Sequence, residues 1–210
     1  MDPFYTLPFL VCLAWLMTKP RESTFRRNLA RAGLLISTAY LAFTVVNKLR
    51  VNEVFERAFA KQEMNLIRYE TRPTPLQNML WAANAESAEA FYMGFHSFFD
   101  DNQNIEFQRF EKNQKLPPKV AKDPKIRKLK KLTKGWYNLE VLGHNRWALH
   151  DFRFGQLGGY QAEGGDFVFS YEIRLTRKGD VIVSERETTS AVAGQEILQS
   201  LWRRILGNRN

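Results

Sequence analysis

The chain has 210 residues and a net charge of +9 at pH 7, which favours anionic partners such as lipid headgroups or nucleic acid. Its only cysteine, Cys12, excludes an intrachain disulfide and a zinc site built from cysteines. The length allows one domain with a hydrophobic core in addition to a short membrane segment.

Two apolar stretches near the N-terminus, residues 4–17 and 29–46, are separated by a basic segment. A spanning helix needs about 20 apolar residues, with a lower limit near 17. The second stretch meets this limit if Arg31 extends its side chain to the surface, whereas the first is shorter and contains Pro8. The pattern predicts a two-helix membrane hairpin over residues 1–47. Two buried helices of a soluble protein, or one spanning helix with an interfacial segment, are the alternatives.

The connector between the two stretches indicates an orientation. Its basic residues are Lys19, Arg21, Arg26, Arg27 and Arg31, against Glu22 alone. Short basic loops stay in the cytoplasm, so the larger C-terminal part is expected on the extracytoplasmic side. Lys48 and Arg50, directly after the second stretch, weaken this bias.

The second apolar helix is expected to continue as an amphipathic helix over residues 48–65. Apolar residues recur there at helical spacing, and charged residues occupy the other positions. The apolar positions are Leu49, Val54, Phe55, Ala58 and Phe59.

The remainder, residues 66–210, reads as an α+β domain with an antiparallel β-sheet, one wet face and two or three covering helices. The predicted strands are residues 66–71, 78–84, 91–99, 105–110, 137–142, 146–154, 167–175 and 181–187. The alternation in 167–175 places Phe167, Phe169, Tyr171, Ile173 and Leu175 towards the core, and Glu172 and Arg174 in solvent.

Two helices are predicted among these strands, at residues 119–134 and 195–206. The first is strongly basic, and near a membrane such a cluster attracts anionic lipids. The lysines assigned to this surface are Lys119, Lys122, Lys125, Lys128 and Lys131. A solvated helix face is the alternative interpretation. Nucleic acid is not an expected partner, because no aromatic residues are interleaved with the basic ones.

Candidate catalytic residues are few. The three histidines, His96, His144 and His150, stand in no HExxH or HxH spacing. His96 and Asp100 share parity on one predicted strand, and Asp151 is the third candidate. A metal or acid–base site needs several such groups to converge, so no metal ligand is assigned. A carboxylate site formed by Asp100, Asp101 and Asp166 is the one alternative.

Four segments, residues 2–8, 73–81, 91–100 and 151–155, together resemble the C-terminal part of the bacterial membrane-bound metal-dependent hydrolases. The resemblance covers nearly the whole chain, and residues 73–81 (PTPLQNMLW) are its most specific segment. It implies a bacterial inner-membrane protein. The family's metal ligands are His and Asp residues in an N-terminal membrane portion that has no counterpart here, so no catalytic residue is carried over.

The leading hypothesis is therefore a membrane-anchored protein that lacks the family's metal site, has no cofactor of its own and binds anionic lipid headgroups. One alternative is a working hydrolase that acts with a companion membrane chain and a divalent metal. The other is a membrane-tethered adaptor that recognises lipid or protein. Enzymatic activity stays open at this point.

Overall fold

The computed structural model describes residues 2–101, 104–161, 164–186 and 194–207, with side chains in the last helix from Leu198 onward. The chain is α+β and contains an N-terminal long helix and two antiparallel sheets. In chain order the elements are α1 Pro3–Met17, α2 Thr24–Lys61, β1 Leu66–Pro73, β2 Leu80–Ser87, β3 Ala90–Ser97, β4 Phe107–Glu111, α3 Pro118–Ala121, α4 Pro124–Leu132, β5 Tyr137–Gly143, β6 Arg146–Asp151, β7 Ser170–Leu175, β8 Val181–Glu185 and α5 Gly194–Ile205.

The strands form two four-stranded sheets, each in simple sequence order. Sheet 1 has the order β1-β2-β3-β4 and sheet 2 the order β5-β6-β7-β8, with antiparallel pairing throughout. The predicted α+β class and antiparallel pairing are confirmed. The prediction of one sheet missed the division into two.

Helix α1 lies against the first half of α2. Gly33 of α2 approaches Cys12 so closely that a Cβ added to the glycine would lie 3.2 Å from the Cys12 Cβ. Close approach at small residues is typical of helix pairs in membranes. Trp15 packs edge-on against Phe25 with ring centroids 5.5 Å apart, and the Tyr40 hydroxyl donates a hydrogen bond to Asp2, the N-cap of α1.

Helix α2 is one continuous helix of 38 residues that includes both the second apolar stretch and the amphipathic segment. It is long and apolar enough to cross a membrane, whereas α1 is apolar but shorter. Most large apolar side chains of the two helices are left uncovered by protein. The exposed ones include Leu7, Leu10, Val11, Met17, Leu34, Leu35, Ile36, Leu41, Phe43 and Val45.

Sheet 1 packs one face on the second half of α2. Val51, Phe55 and Phe59 of the helix form a buried cluster with the sheet side chains Trp81, Ala83 and Ala85. β1 runs antiparallel to α2, because Tyr69 bonds to Glu56 while Thr71, further along β1, accepts from Lys48. The loop after β1 therefore lies towards the apolar half of α2.

Sheet 2 packs one face on α3 and α4. Val120, Ile126 and Leu129 from these helices cluster with strand residues such as Leu149 and Ile173. The opposite face is polar, where Glu172 accepts from Arg146 (2.9 Å) and from Arg174 (3.2 Å). Arg146 and Arg174 on this face are exposed, whereas Ala148, His150 and Ser170 are buried, with Phe167 stacked on His150. The predicted wet face is therefore open to solvent only in part, and Glu172, predicted to lie in solvent, has a side chain that is 15% exposed.

The two sheets meet through an aromatic cluster at the end of sheet 1 furthest from Lys48. Phe91 of β3 stacks on Phe152 and Trp136, with ring centroids 4.8 Å and 5.7 Å away. Asn84 Nδ2 donates to the carbonyl oxygen of Phe152 at 2.7 Å. The segment after β6 is held in this way against the face of sheet 1 that points away from α2.

Three sequence predictions need correction. The predicted helix 119–134 is split into α3 and α4, because Asp123 caps a new helix whose first residue is Pro124. The predicted strand 167–175 begins only at Ser170, although Phe167 still packs on the aromatic cluster. Tyr171 is half-buried, and Ile173 is the fully buried position of β7. Glu187 of the predicted strand 181–187 lies outside the described residues.

Candidate functional site

A cavity of about 410 Å³ opens on the face of sheet 1 that points away from α2. We call it the Arg72 cavity. Its walls are mostly apolar, and they come from sheet 1, the loop of residues 154–160 and α5. The main wall residues are Ala82, Met93, Phe95, Phe154, Leu157, Tyr160, Leu198 and Leu201. The volume is within the range of small-molecule sites, about 300–1,000 Å³.

The strand register explains how the floor of the cavity forms. Arg72, Ala82 and Phe95 are direct neighbours across β1, β2 and β3, so their side chains share one face of the sheet. Small Ala82 lies between the long side chains of Arg72 and Phe95, which leaves space above it.

Gly155 brings the covering loop close to this floor. Its φ of +69° is in the left-handed region that favours glycine. A Cβ added at this position would lie 3.0 Å from Arg72 Nη2 and 3.0 Å from Met93 Cε. The glycine therefore permits both the turn and the close approach.

Among the described residues of the lining, Arg72 is the one cation. Within the part of the chain that the structure describes, it donates no hydrogen bond and forms no ion pair with a carboxylate. Burial lowers the pKa of Arg72, while the charges of Glu70 and Asp151 raise it. An arginine remains protonated in proteins, so the cavity contains a half-buried positive charge that makes no direct polar contact with the described residues.

The negative charge nearest to Arg72 on the covering segment is already neutralised. Asp151 is buried and accepts two hydrogen bonds from the Arg153 guanidinium, at 3.0 Å and 2.6 Å. Glu70, two residues before Arg72 on the same face of β1, is exposed. Arg72 therefore supplies the positive charge of the described lining, with the exposed Glu70 carboxylate beside it.

Gln156 adds a second polar group to the lining. Its side-chain oxygen Oε1 is buried, and no hydrogen-bond partner for it exists among the described residues. An unsatisfied buried acceptor is costly, and the assignment of O and N in an amide can be exchanged. The Gln156 Oε1 lies on the side of Gly164 and Gln108, because a Cβ added at Gly164 would be 3.6 Å from this oxygen and 3.3 Å from Gln108 Nε2.

A smaller cavity of about 310 Å³ adjoins the Arg72 cavity and shares Met93, Phe95 and Tyr160 with it. Burial raises the pKa of Tyr160, against a lowering contribution from Ser200 of α5. Arg204 of α5 also lines the smaller cavity, so α5 contributes to both.

α5 is fixed at its C-terminal end by a buried ion pair. Arg204 donates to both carboxylate oxygens of Asp100, at 2.6 Å and 3.0 Å. His96 Nδ1 lies 3.4 Å from the same carboxylate. Although burial would raise the pKa of Asp100, its contacts with His96, Arg204 and the Ser97 N–H hold it well below the usual value.

The structure brings two of the three candidate catalytic residues together. His96 and Asp100 meet on the α2 side of sheet 1, where His96 contacts Phe55, whereas Asp151 pairs with Arg153 on the opposite side. Of the other histidines, His150 bonds Ser170 (2.6 Å) and Glu140 (3.1 Å) on sheet 2. Among the described residues, no group of three or more His, Cys, Asp or Glu side chains is placed to hold a metal ion.

The five lysines assigned to membrane contact are exposed on α3 and α4, or directly beside these helices. Lys125 donates to the carbonyl oxygen of Val181, so this helix pair lies along β8. Just beyond α4, the carbonyl oxygen of Lys134 accepts a hydrogen bond from Arg68. Along β1, Arg68 lies further than Arg72 from the end of the strand that contacts Lys48. The lipid contact predicted for these lysines stays a prediction.

An apolar edge, which we define as Leu76, Phe98, Phe99, Trp202 and Leu206, lies at the other end of sheet 1. All five side chains are exposed. The Phe98 N–H donates to the Met79 carbonyl oxygen, and Gly207, just after α5, lies so close to the Phe99 carbonyl oxygen that an added Cβ would clash with it. The edge therefore joins the loop after β1, the end of β3 and α5, next to the mouth of the Arg72 cavity.

No family model, curated protein or solved structure matches this chain. The fold and the site define an α+β protein with an N-terminal helix long and apolar enough to span a membrane. An apolar cavity with one arginine lies beside an exposed apolar edge.

Sequence reasoning missed the residues that form this site. Arg72 was placed just beyond a strand that was predicted to end at Thr71, and β1 in fact continues to Pro73 at the edge of sheet 1. The alternation of Arg68, Glu70 and Arg72 was the available signal for one continuous face. Arg204 and Asp100 are 104 residues apart, so no local pattern joins them.

Proposed function

We propose that this chain is a membrane-anchored binding protein whose α+β domain lies against the bilayer and takes a ligand into the Arg72 cavity. The observation that carries the proposal is the coincidence of three apolar surfaces at one end of the domain. These are the uncovered faces of α1 and α2, the apolar edge and the cavity mouth.

Contacts between α2 and sheet 1 support this orientation. Lys48 follows the apolar half of α2 and bonds Thr71, so Thr71 lies at the level where the helix would leave the bilayer. The loop that contains Leu76 comes directly after β1, in the direction of the apolar half. Leu76, Phe99 and Trp202 are then at interfacial depth, where tryptophan is enriched.

The amphipathic character of α5 fits the same position. Arg204 and Ile205 face the domain and are buried, whereas Leu198, Trp202 and Leu206 recur every four residues on an exposed stripe. Such a stripe is typical of helices that lie in the membrane interface. The apolar edge, and not the basic helix, is therefore the surface that we propose to face the bilayer.

The resemblance to the C-terminal part of the bacterial membrane-bound metal-dependent hydrolases supports the same proposal. On this basis we propose a bacterial inner membrane as the location of the chain. The two apolar stretches and the basic connector between them support a two-helix hairpin with the domain on the extracytoplasmic side. Hydrolysis is not part of the proposal, because Asp100 and Asp151 are engaged by Arg204 and Arg153.

Carbonate extraction of membranes from expressing cells tests the anchor. The full chain should remain in the membrane pellet. A Leu35→Lys variant should release a larger fraction, because Leu35 is 70% exposed and a central lysine costs about 2.5–3.5 kcal/mol in insertion. Quantitative release of the unchanged chain would refute the anchor.

A pair of fluorescent labels tests the orientation. In a Cys12→Ser background, Phe99→Cys and Leu132→Cys introduce single thiols at two positions that are both 52% exposed. In vesicles with bromine-labelled acyl chains, the label at position 99 should be quenched and the label at position 132 should not. Equal quenching at both positions would contradict the proposed face.

A further inference from the structure

We infer that the Arg72 cavity binds a single-chain amphiphile, with its acyl chain on the apolar walls and its anionic head, a carboxylate or a phosphate, at Arg72. The inference rests on the proposed function in one respect, since the bilayer would be the source of the ligand. It adds the chemical class of that ligand.

The walls of the cavity select for an aliphatic chain. Ala82, Met93 and Phe95 form the floor, and Leu201 of α5 closes one side. Enclosed apolar surface of this kind does not hold ordered water well, because water needs several polar partners. An acyl chain would cover the same side chains without leaving polar groups unpaired.

The mouth of the cavity lies where a membrane ligand would enter. Phe154, Leu157, Leu198 and Leu76 line the cavity and also expose apolar surface to the outside. Leu76 belongs to the apolar edge as well. A chain can therefore pass from the bilayer to the floor of the cavity along apolar side chains.

Arg72 determines the charge of the head. Its guanidinium carries a positive charge in apolar surroundings and makes no direct polar contact with described side chains, so a carboxylate or phosphate would supply two parallel charge-assisted hydrogen bonds. Asp151 does not compete, because Arg153 already binds both of its oxygens. Glu70 opposes an anion from the exposed side.

A neutral alkyl chain would leave the Arg72 guanidinium without a hydrogen-bond partner among the described residues, so the inference requires an anionic head.

Photo-crosslinking of the full chain in a non-ionic detergent tests the inference. The probe is a palmitic acid analogue with a diazirine on its chain, and labelled peptides are identified by mass spectrometry. Labels should map to the strand that contains Met93 and Phe95, or to residues 154–160. Palmitic acid and lysophosphatidic acid should compete at least about tenfold better than hexadecanol, as expected for hydrogen bonds to a charged group.

Variants connect the competition to Arg72. Arg72→Gln should abolish the advantage of the two acids over hexadecanol, and Arg72→Lys should retain part of it. Glu70→Gln should strengthen competition by the acids and leave hexadecanol unchanged. Arg109→Gln is the matched control, because Arg109 is an exposed arginine on β4 of the same sheet.

The competitors also identify the head. Stronger competition by palmitic acid assigns a carboxylate, stronger competition by lysophosphatidic acid assigns a phosphate, and equal competition assigns an anionic head in general. Labels outside the cavity, or hexadecanol competing as well as the acids in the unchanged chain, would overturn the inference. If Arg72→Gln does not fold, competition measured with Arg72→Lys and Glu70→Gln still tests the role of Arg72. If carbonate released the chain while the acids still competed with labelling, the membrane anchor would be refuted and the inference about the ligand would stand.

Discussion

The two halves of the domain have the same plan and differ in what covers them. In each, a helical segment precedes a four-stranded antiparallel sheet and packs on one of its faces, α2 on sheet 1 and α3 with α4 on sheet 2. Sheet 1 is also covered on its second face, by the segment after β6 and by α5. The second face of sheet 2 is exposed around Arg146 and Arg174, and it is covered only at the end that contains His150 and Ser170.

This difference explains where the cavity lies. A covered second face can enclose space, and sheet 1 does so around Arg72, Ala82 and Phe95. The exposed part of the second face of sheet 2 has cross-strand polar contacts instead, such as Glu172 between Arg146 and Arg174. The same strand arrangement therefore provides a binding site in one half and a partly solvent-facing surface in the other.

The largest expected effects are on the two faces of sheet 1. Phe55 packs on one face and Phe91 belongs to the other, and both are fully buried. Phe55→Ala and Phe91→Ala should each lower the free energy of unfolding by about 3–5 kcal/mol. Chemical denaturation in a non-ionic detergent, followed by tryptophan fluorescence, measures this. A loss below about 1 kcal/mol for either variant would mean that one face is not a core.

Breaking the ion pair that holds α5 should have a similar effect on sheet 1. Arg204→Ala leaves the buried Asp100 carboxylate without its main partner, and such losses cost about 3–5 kcal/mol. Arg203→Ala, one residue earlier and exposed, is the matched control, with an expected change below about 0.5 kcal/mol. Equal unfolding midpoints for the two variants would show that α5 is not fixed by this pair.

In sheet 2 we expect different losses at a buried position of the α4 face and at an exposed position of the second face. Ile173 is fully buried towards α4, and its replacement by alanine should cost about 2–5 kcal/mol. Ile182 on β8 points to the second face and is 45% exposed, so Ile182→Ala should change stability by about 0.5 kcal/mol or less. The half-buried Tyr171 should give a value between these two. Similar losses at 173 and 182 would place a covering element on the exposed part of the second face.

The smallest expected effect is a pH dependence that belongs to sheet 2. Burial lowers the pKa of His150, against the raising influence of Glu140. A histidine with a lowered folded-state pKa contributes stability that is complete above its unfolded pKa, about 6.5, and is lost as pH falls. The unfolding midpoint should therefore decrease below about pH 6.5, and His150→Gln should flatten the decrease.

The sequence predicted sheet 2 better than sheet 1, and burial explains why. In β7, apolar and polar residues alternate, so the face of Ile173 could be assigned from parity alone. In β2, residues 80–86 are all buried, so the alternation that identifies a face is missing. Pairing partners, and not local pattern, determine which side of β2 contacts α2.

Other differences come from signals that were present but not weighed. Asp123 followed by Pro124 is a helix-start pair, and it ends the predicted continuity of helix 119–134. Arg72 before Pro73 was read as the end of a strand, although proline is tolerated on an edge strand. The cavity itself could not be predicted, since Arg72, Gly155 and Leu201 come from three distant segments.

Because α2 is one continuous helix, a change in its tilt would also move the domain. From Lys48 to Lys61 the helix rises by about 20 Å at roughly 1.5 Å per residue, with Val51, Phe55 and Phe59 packed on sheet 1. A spanning helix tilts when the bilayer becomes thinner than its apolar length. If α2 spans the bilayer as proposed, a change in membrane thickness would swing the sheet through the same angle and shift the cavity mouth against the lipid surface.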